Sequence, residues 1–470
     1  MKVLLPASEV APIVKLGGLG DVIGSLPKAL EKVGVNADVI IPFYPTAKVQ
    51  DGQLYKSLDL EVPFNNTSNS VEVFKTKLPG SNVDVFLLRN KEYFVLGGKD
   101  AFINARPETE MFAFFSRAVV EFVKAEFNTY DLVHCNDWHT GMITHLLQDE
   151  LEGARPATLF TIHNLGYQGI GDLSLVKEMG IVPGDHPLIE WDIADGDINF
   201  IQQGITSSDY VNAVSPTYAK EILTEEFGGE LTDVLRAREG RLTGILNGID
   251  YSAFPREFDE SNWQTEKRKH KEVLIKELDL GTQNLKRPLL SFIGRLDPNQ
   301  KGLDILVESI PGIVKAGGSF VLLGTGDSVW EEKLKKLAQK KSLAEFVSIN
   351  IAFDIELAQK IYSGSDFLLI PSRYEPCGLI QMIAMWFGTV PIVHATGGLK
   401  DSVKDGQNGF LFDDYTSSAL LNAVKTAVST YSGQDDVSFE KIVEGALTED
   451  FSWGKSAQEY KNLYERVINA

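Results

Sequence analysis

Short apolar runs alternate with longer segments of helical periodicity along most of the chain. Apolar runs bounded by polar turns are typical of strands buried on both faces of a parallel sheet. In the first half we predict such strands at residues 3–5, 38–41, 132–135, 158–162, 209–214 and 242–246. In the second half we predict them at residues 289–293, 320–323, 346–349, 367–370 and 390–393. Alternation with helices predicts an α/β protein built from doubly wound sheets.

Three segments depart from this alternation. Between residues 55 and 88 apolar and polar positions alternate with period two, which predicts antiparallel strands beside the first sheet. The polar segment 250–287 contains the basic run 266–271, which predicts a solvated helix at a domain edge. An amphipathic helix is predicted at 453–468. We therefore expect Rossmann-like domains at 1–250 and 251–450, followed by a C-terminal helix within 451–470.

Composition and charge argue against several classes of function. The 470-residue chain has a formal net charge of −20 and a sequence pI near 4.9, whereas nucleic-acid phosphates require a basic face. Its two cysteines, Cys135 and Cys377, form neither a disulfide framework nor a zinc site. No apolar stretch is long enough to span a membrane, and a strand begins almost at the first residue, which leaves no room for a leader. We expect a cytoplasmic protein that contacts neither nucleic acid nor a membrane.

Two polar motifs follow the last two predicted strands. Glu375-Pro-Cys-Gly378 comes after strand 367–370, and Thr396-Gly-Gly398 comes after strand 390–393. Ligands of open α/β sheets bind at the carboxyl ends of strands, where both motifs lie. Glu375 stands in the first loop, and the amides beside it precede a predicted helix start, which suits an anion or a polyol oxygen. Either motif alone is compatible with an ordinary βαβ unit.

Together these motifs resemble those of the bacterial glycogen synthase and plant starch synthase family, glycosyltransferase family 5. The resemblance runs from Lys15 to Gly398, in order and at compatible spacing. It implies a GT-B fold, in which two Rossmann-like domains face a deep cleft and the last helix crosses back to the first domain. Many other related transferases carry a second glutamate eight positions after Glu375, where this chain has Ile383. This difference favours family 5.

A glycine-rich loop, Lys15-Leu-Gly-Gly-Leu-Gly-Asp21, follows the first strand. Its glycines let the backbone approach a ligand closely. Dinucleotide binding is disfavoured, because the spacing from Gly18 is GxGxxxG and no acidic residue ends the second strand. The family resemblance implies instead that the loop meets the donor diphosphate, with Lys15, Gly17, Gly18 and Asp21 at the matching positions.

Three further motifs in the first half follow strands. His134-Cys-Asn-Asp137-Trp-His139 contains two histidines and a carboxylate, but their position on a strand end and turn disfavours a metal site. The resemblance implies that Asp137 lies in the active cleft. It also implies that His163 of Thr161-Ile-His-Asn164 contacts the donor glucose, although a structural histidine is an equal alternative from the residues alone. Asn247 of the Asn-Gly-Ile-Asp segment faces the sugar in the family.

Positive charge in the second half is concentrated in the loop after strand 289–293. Arg295 and Lys301 lie in one short loop before a helix, and such a pair can clamp a diphosphate through a forked donor and a point charge. The resemblance supports this role. Phe353 occupies a place where relatives often put tyrosine against the base; the alternative is a core aromatic.

The resemblance implies a retaining α-glucosyltransferase that moves glucose from ADP-glucose or UDP-glucose to the non-reducing 4-OH of an α-1,4-glucan such as glycogen or starch. Departure of the diphosphate requires fixed positive charge, which Lys15, Arg295, Lys301 and the loop amides would supply, so we expect neither cofactor nor metal. The alternatives are a glycoside hydrolase using Asp137 and Glu375, or a silent nucleotide-sugar or glucan binding protein. The candidate catalytic residues are Asp137, His163, Arg295, Lys301 and Glu375. The candidate donor-binding residues are Lys15, Gly17, Gly18, Asp21, Asn247, Phe353, Cys377, Gly378, Thr396 and Gly397.

Overall fold

A nine-stranded sheet and a six-stranded sheet organise the chain. The computed structural model describes residues 1–49, 52–94, 107–434 and 437–470. These residues divide into unit 1, which is Met1–Gly248 with Trp453–Ala470, and unit 2, which is Ile249–Ser452.

The large sheet of unit 1 has the strand order β11-β10-β7-β6-β1-β2-β5-β4-β3. Strands β11 to β5 in this order are parallel, and β4 and β3 add antiparallel at one edge. The period-two prediction for residues 55–88 is therefore confirmed. A separate antiparallel pair, β8-β9, was not predicted. The strands are β1 (Lys2–Pro6), β2 (Asn36–Pro42), β3 (Tyr55–Phe64), β4 (Thr67–Lys77), β5 (Asp84–Arg89), β6 (Leu132–Asn136), β7 (Ala157–Ile162), β8 (Ile170–Asp172), β9 (Asp197–Asn199), β10 (Tyr210–Ala213) and β11 (Leu242–Gly244).

Helices of unit 1 cover its sheet with apolar faces. Helix α2 (Glu108–Ala125) buries Phe112, Phe114 and Phe115 completely. The α-helices described within Met1–Gly248 of unit 1 are α1 (Gly18–Lys32), α2 (Glu108–Ala125), α3 (Gly141–Leu151), α4 (Ser174–Glu178), α5 (Pro187–Asp192), α6 (Phe200–Ser207), α7 (Pro216–Glu221), α8 (Glu225–Gly228) and α9 (Thr232–Arg236).

Unit 2 is built on a parallel sheet of order β14-β13-β12-β15-β16-β17. The order reverses between β12 and β15, so the loops after these strands lie at a topological switch point, where α/β sheets bind ligands. The elements are α10 (Trp263–Glu277), β12 (Leu289–Ile293), α11 (Leu303–Lys315), β13 (Ser319–Gly324), α12 (Ser328–Ala338), β14 (Val347–Ile351), α13 (Ile355–Gly364), β15 (Phe367–Ile370), α14 (Ile380–Trp386), β16 (Val390–His394), α15 (Gly397–Ser402), β17 (Phe410–Phe412), α16 (Ser417–Tyr431) and α17 (Phe439–Thr448).

The charge pattern of α10 predicted a solvated helix, but two of its lysines are buried. Lys267 is buried, and its Nζ donates to the carbonyl oxygens of Ser363 and Phe387 and to the hydroxyl of Thr389, at 3.2, 3.0 and 2.8 Å. Lys271 is also buried and lies 2.6 Å from Asp366. Burial of an ammonium group requires such a full set of acceptors. The two lysines therefore attach α10 to the sheet of unit 2.

The C-terminal helix α18 (Trp453–Ile468) has the bounds that the sequence predicts. It packs on α1 and β7 of unit 1. Residues on one face of this helix, including Ala457, Tyr460 and Tyr464, are fully buried. Across residues 1–49, 52–94, 107–434 and 437–470, no helix combines the length and apolar character needed to span a membrane.

Candidate active site

Glu375 lies at the centre of a buried polar cluster at the carboxyl end of the unit 2 sheet. The residue is 7 % exposed. Its Oε2 accepts hydrogen bonds from Lys301 Nζ at 2.7 Å and from the Ser372 hydroxyl at 2.9 Å. Lys301 follows β12 and Glu375 follows β15, and these two strands are neighbours. The sheet topology thus joins two candidate residues that are far apart in sequence. Both bonds end on one oxygen, which orients the carboxylate.

The two predicted motifs of this region pack directly on each other. The amide of Gly398 donates to the carbonyl oxygen of Glu375 at 3.1 Å. A Cβ on Gly397, whose φ is +46°, would lie 1.9 Å from that oxygen, and a Cβ on Gly398 would lie 2.1 Å from the Cys377 carbonyl oxygen. Both glycines are therefore required by the close approach of the two loops. Thr396 before them is buried, with 1 % exposure.

His394 at the end of β16 supports the Glu375 loop and was not predicted from the sequence. Its Nδ1 lies 2.8 Å from the Ser372 carbonyl oxygen, and its Nε2 lies 3.1 Å from the Asp413 carbonyl oxygen. The ring therefore links the loops that follow β15 and β17. Gln381 performs a similar task from α14, donating to the carbonyl oxygens of Cys377 and Gly378 at 3.1 and 2.8 Å. Gly378 itself has a φ of +70°.

Two of the predicted donor contacts in unit 2 are exposed to solvent. Arg295 is exposed, and its Nη2 lies 3.5 Å from Gln300 Oε1. Phe353 follows β14 and is 86 % exposed, which contradicts the alternative of a core aromatic. An exposed ring of this kind can stack on a flat ligand.

Asp137, directly after β6, is held in a conformation that is nearly exclusive to glycine. Its φ and ψ are 63° and 177°. The side chain is buried, and among the residues that the structure describes Oδ1 has no hydrogen-bond partner. Burial raises the pKa of Asp137 to about 7, against the opposing effect of the backbone amides of Asn164, Trp138 and His163. Strain and an unpaired buried oxygen at one residue are typical of functional sites.

His163 follows β7, next to β6, and lies on the same side of the sheet as Asn136. Its Nε2 is 3.0 Å from Asn136 Oδ1. Burial lowers the pKa of His163 to about 3, so the ring is neutral at physiological pH. Asn247 is also buried, and its Oδ1 has no hydrogen-bond partner among the described residues. Unit 1 thus contains two unpaired buried oxygens on predicted site residues.

The glycine-rich loop of unit 1 folds around a carboxylate that sequence reasoning missed. Glu9 is 4 % exposed, and its Oε2 accepts hydrogen bonds from the amides of Leu16 and Gly17, the latter at 3.0 Å. Burial raises its pKa. A Cβ on Gly20 would lie 2.7 Å from Glu9 Oε2, whereas a Cβ on Gly18 would meet no atom within 4 Å. A side chain at position 20 would therefore have to displace the Glu9 carboxylate, whereas one at position 18 would meet no described atom.

At the mouth of this loop, the side chains of Lys15 and Asp21 form an exposed ion pair of 2.7 Å. Glu9 was missed because a single acidic residue after a strand carries no specific pattern. Its position between β1 and a glycine turn whose amides need an acceptor is the one available signal. Within the described part of the chain, no group of three or more His, Cys, Asp or Glu side chains is placed to hold a metal ion.

Family models cover most of the chain. The starch synthase catalytic domain matches residues 2–237, and glycosyl transferases group 1 matches residues 279–438. The glycogen synthase of Fervidobacterium nodosum is 41 % identical, with 99 % of both chains covered, and that of Thermosipho melanesiensis is 42 % identical, with 100 % of this chain and 99 % of the relative covered. The chain belongs to the glycogen synthase and starch synthase family.

Membership of the glycogen synthase and starch synthase family makes the protein a hexosyltransferase with a GT-B fold, as predicted. A solved relative is the catalytic domain of starch synthase IV from Arabidopsis thaliana bound to ADP and acarbose. It has a TM-score of 0.89 and 31 % identity, and the match covers 100 % of this chain and 99 % of that one. The family assignment favours the transferase over the hydrolase and silent-binding alternatives.

Proposed function

We propose that this member of the family transfers glucose from ADP-glucose to the non-reducing 4-OH of an α-1,4-glucan, with retention of configuration. The observation that carries the proposal is the Lys301–Glu375–Ser372 cluster at the switch point of the unit 2 sheet, with Arg295 in the same loop as Lys301 after β12. The relative solved with ADP and acarbose supports an adenine nucleotide and an oligosaccharide as ligand classes. UDP-glucose is the alternative donor.

The leaving group is a nucleoside diphosphate, and negative charge grows on it as the glycosidic bond breaks. Fixed positive charge aimed at the diphosphate lowers the free energy of that transition state. Arg295 is exposed and so is accessible to a ligand. Lys301 is engaged with Glu375 at 2.7 Å, so a phosphate oxygen would share this ammonium group or displace the carboxylate. We assign both cations to the leaving group.

The sugar itself would be held by carboxylates and neutral hydrogen-bonding groups. The hydrogen bonds from Lys301 and Ser372 both end on Oε2 of Glu375, and Oε1 would accept one from a glucose hydroxyl. Asp137 and Asn247 each present an oxygen that has no partner in the described part of the chain, and neutral His163 can accept at Nδ1 while it donates at Nε2 to Asn136. We assign each of these residues a contact with the donor glucose, and we assign Phe353 to stacking on the nucleotide base.

The glycine-rich loop would meet the donor diphosphate through Lys15 and the backbone near Gly18. The amide of Gly17 already donates to Glu9, so it is not available while that bond stands. Asp21 holds the ammonium group of Lys15. We therefore place the ligand contact of this loop at Lys15 and Gly18 rather than at the Gly17 amide.

Product analysis with labelled donors tests the proposal. The protein is incubated with glycogen and either ADP-glucose or UDP-glucose labelled in the glucose, and the products are separated by chromatography. We expect label in lengthened α-1,4 chains, release of one nucleoside diphosphate per glucose, and a higher rate with ADP-glucose. Free labelled glucose without elongation would indicate a hydrolase. No turnover of either donor would leave a binding protein and overturn the proposal, and faster transfer from UDP-glucose would overturn only the donor assignment.

A further inference from the structure

A ladder of buried side chains joins the ends of β6 and β7 in unit 1. His134 and Asn136 lie two residues apart on β6 and therefore point to the same face of the sheet. His134 Nε2 is 2.7 Å from the hydroxyl of Thr161, and Asn136 Oδ1 is 3.0 Å from His163 Nε2. Asp137 directly follows this ladder, and its amide donates to the Thr161 carbonyl oxygen at 2.9 Å. The candidate site residues Asp137 and His163 therefore lie in or directly next to these two hydrogen-bonded pairs.

The His134–Thr161 pair is also hydrogen-bonded to the C-terminal helix α18. His134 Nδ1 lies 2.8 Å from the Tyr464 hydroxyl. Asn212 of β10 donates to the Thr161 hydroxyl at 3.2 Å and to the Tyr460 hydroxyl at 3.1 Å. The two tyrosines are four residues apart and so share one face of the helix. The helix therefore contacts three adjacent strands through one continuous hydrogen-bonded network.

Burial of this network is complete. His134, Thr161, Asn212, Tyr460 and Tyr464 all have 0 % exposure. Phenylalanine would bury nearly the same apolar area without a hydroxyl that needs a partner, and replacing buried polar networks with apolar side chains often leaves stability unchanged. Stability alone therefore gives no reason for hydroxyls at these two positions. Hydrogen bonds of defined length do, however, fix the orientation of the strand ends that they join.

We propose that Tyr460 and Tyr464 are positioning residues for glucosyl transfer: Tyr464 acts through His134, and Tyr460 through Asn212 and Thr161, to fix the ends of β6 and β7 that carry Asp137 and His163. The inference rests on the proposed function in assigning Asp137 and His163 a contact with the donor glucose. A small displacement of a positioned group lowers the rate of the chemical step much more than it weakens ligand binding. The C-terminal helix is, on this view, part of the catalytic framework of unit 1.

Tyrosine-to-phenylalanine variants test the inference, because they remove only the hydroxyl. Tyr130→Phe is the matched control: its hydroxyl donates to Asp38 Oδ2 at 3.0 Å in the same unit, and Asp38 lies near the amino end of β2. We expect Tyr464→Phe to lower kcat at least about tenfold, with the KM for the donor changed less than about twofold. Tyr460→Phe should also lower kcat, but to a smaller degree. Tyr130→Phe should change Tm by about as much as the other two variants do, but should keep kcat within about twofold of the wild-type value.

Hydrogen–deuterium exchange gives a second readout that does not depend on activity. Peptides covering residues 134–140 and 158–164 should exchange faster in Tyr464→Phe than in wild type, and remain unchanged in Tyr130→Phe. Unchanged exchange, or a kcat for Tyr464→Phe that stays above half of the wild-type value, would overturn the inference. Absence of transfer by the wild-type protein would count against the proposed function instead, and the exchange result would still decide whether the tyrosines position these segments.

Discussion

The ammonium group of Lys301 lies 2.7 Å from the carboxylate of Glu375, although 74 positions separate the two residues in sequence. Their side chains are 15 % and 9 % exposed, so the pair is largely removed from water. Removing one partner of such a pair leaves a buried charge without compensation, which destabilises a protein far more than removing both. The pair therefore couples the stability of unit 2 to two residues that we assign to the donor.

A double-mutant cycle separates these roles. We expect Lys301→Ala to destabilise the protein by about 3 kcal/mol, because Glu375 stays buried without its ion-pair partner. Lys301→Ala combined with Glu375→Gln should be less destabilised than Lys301→Ala alone. Urea unfolding of the variants and the wild type, followed by far-UV circular dichroism, measures the difference. Additive effects of the two changes would show that the ion pair contributes nothing to stability.

Arg295 should affect catalysis without affecting stability. It is exposed, so its loss changes little in the folded protein. As a group aimed at a leaving diphosphate it should contribute about 3 kcal/mol to the transition state, so we expect Arg295→Ala to lower kcat at least about a hundredfold. Arg295→Lys should restore only part of the activity, since an ammonium group cannot form the planar fork. Steady-state kinetics on variants of matched Tm measure this; a kcat above about a tenth of wild type in Arg295→Ala would remove the assignment.

Gly18 and Gly20 should differ in what alanine does at each position. A Cβ at position 18 meets no protein atom within 4 Å, so Gly18→Ala should fold with unchanged or slightly higher Tm. If a ligand approaches the backbone there, the same variant should raise the KM for the donor at least about tenfold, as expected for overlap with a bound group. Gly20→Ala should instead lower Tm, because its Cβ would lie 2.7 Å from Glu9 Oε2. Unchanged donor KM in Gly18→Ala would place the ligand elsewhere.

The backbone of Asp137 predicts an inverted order of stability for two substitutions. Alanine normally stabilises a site relative to glycine by about 0.5–1 kcal/mol through the unfolded state. At a φ of 63° and a ψ of 177° the strain on a residue with a Cβ is about 1–3 kcal/mol, so Asp137→Gly should be more stable than Asp137→Ala. Lys455, exposed on α18, is a control site at which glycine should be the less stable replacement. Chemical denaturation of the four variants gives the comparison, and the usual order at position 137 would contradict the strain.

The carboxyl group of Asp137 should make stability depend on pH. Its pKa is about 7 in the folded protein and near 3.8 when exposed, so between these values the native state binds more protons than the unfolded state. Stability from this group is therefore lost as the pH rises from about 4 to about 7. Asp137→Asn has no group that loses stability in this way. The free energy of unfolding of Asp137→Asn minus that of wild type should therefore be about 3 kcal/mol larger at pH 8 than at pH 5. A difference that is the same at both pH values would mean that Asp137 titrates normally.

Much of the fold is determined by local patterns in the sequence. Apolar runs of strand length mark β6, β7, β12 and β15 because strands of a parallel sheet are buried on both faces. Helical periodicity marks α18 to its exact ends, Trp453–Ile468, because one face of that helix is apolar. Parallel strands place their carboxyl ends at one edge of a sheet, so motifs that directly follow strands could be recognised as a site before any contact was known.

Tertiary packing alone decided the polar partnerships. Nothing near Lys267 indicates that its ammonium group is buried, and the position of Glu9 beside a glycine turn does not specify which amides it holds. The hydrogen bond between His134 and Tyr464 joins residues 330 positions apart. Hydrophobic periodicity records which face of an element is buried, and this is a property of neighbouring residues. The partner of a buried polar group depends on which elements the fold brings together, and only the assembled structure specifies that.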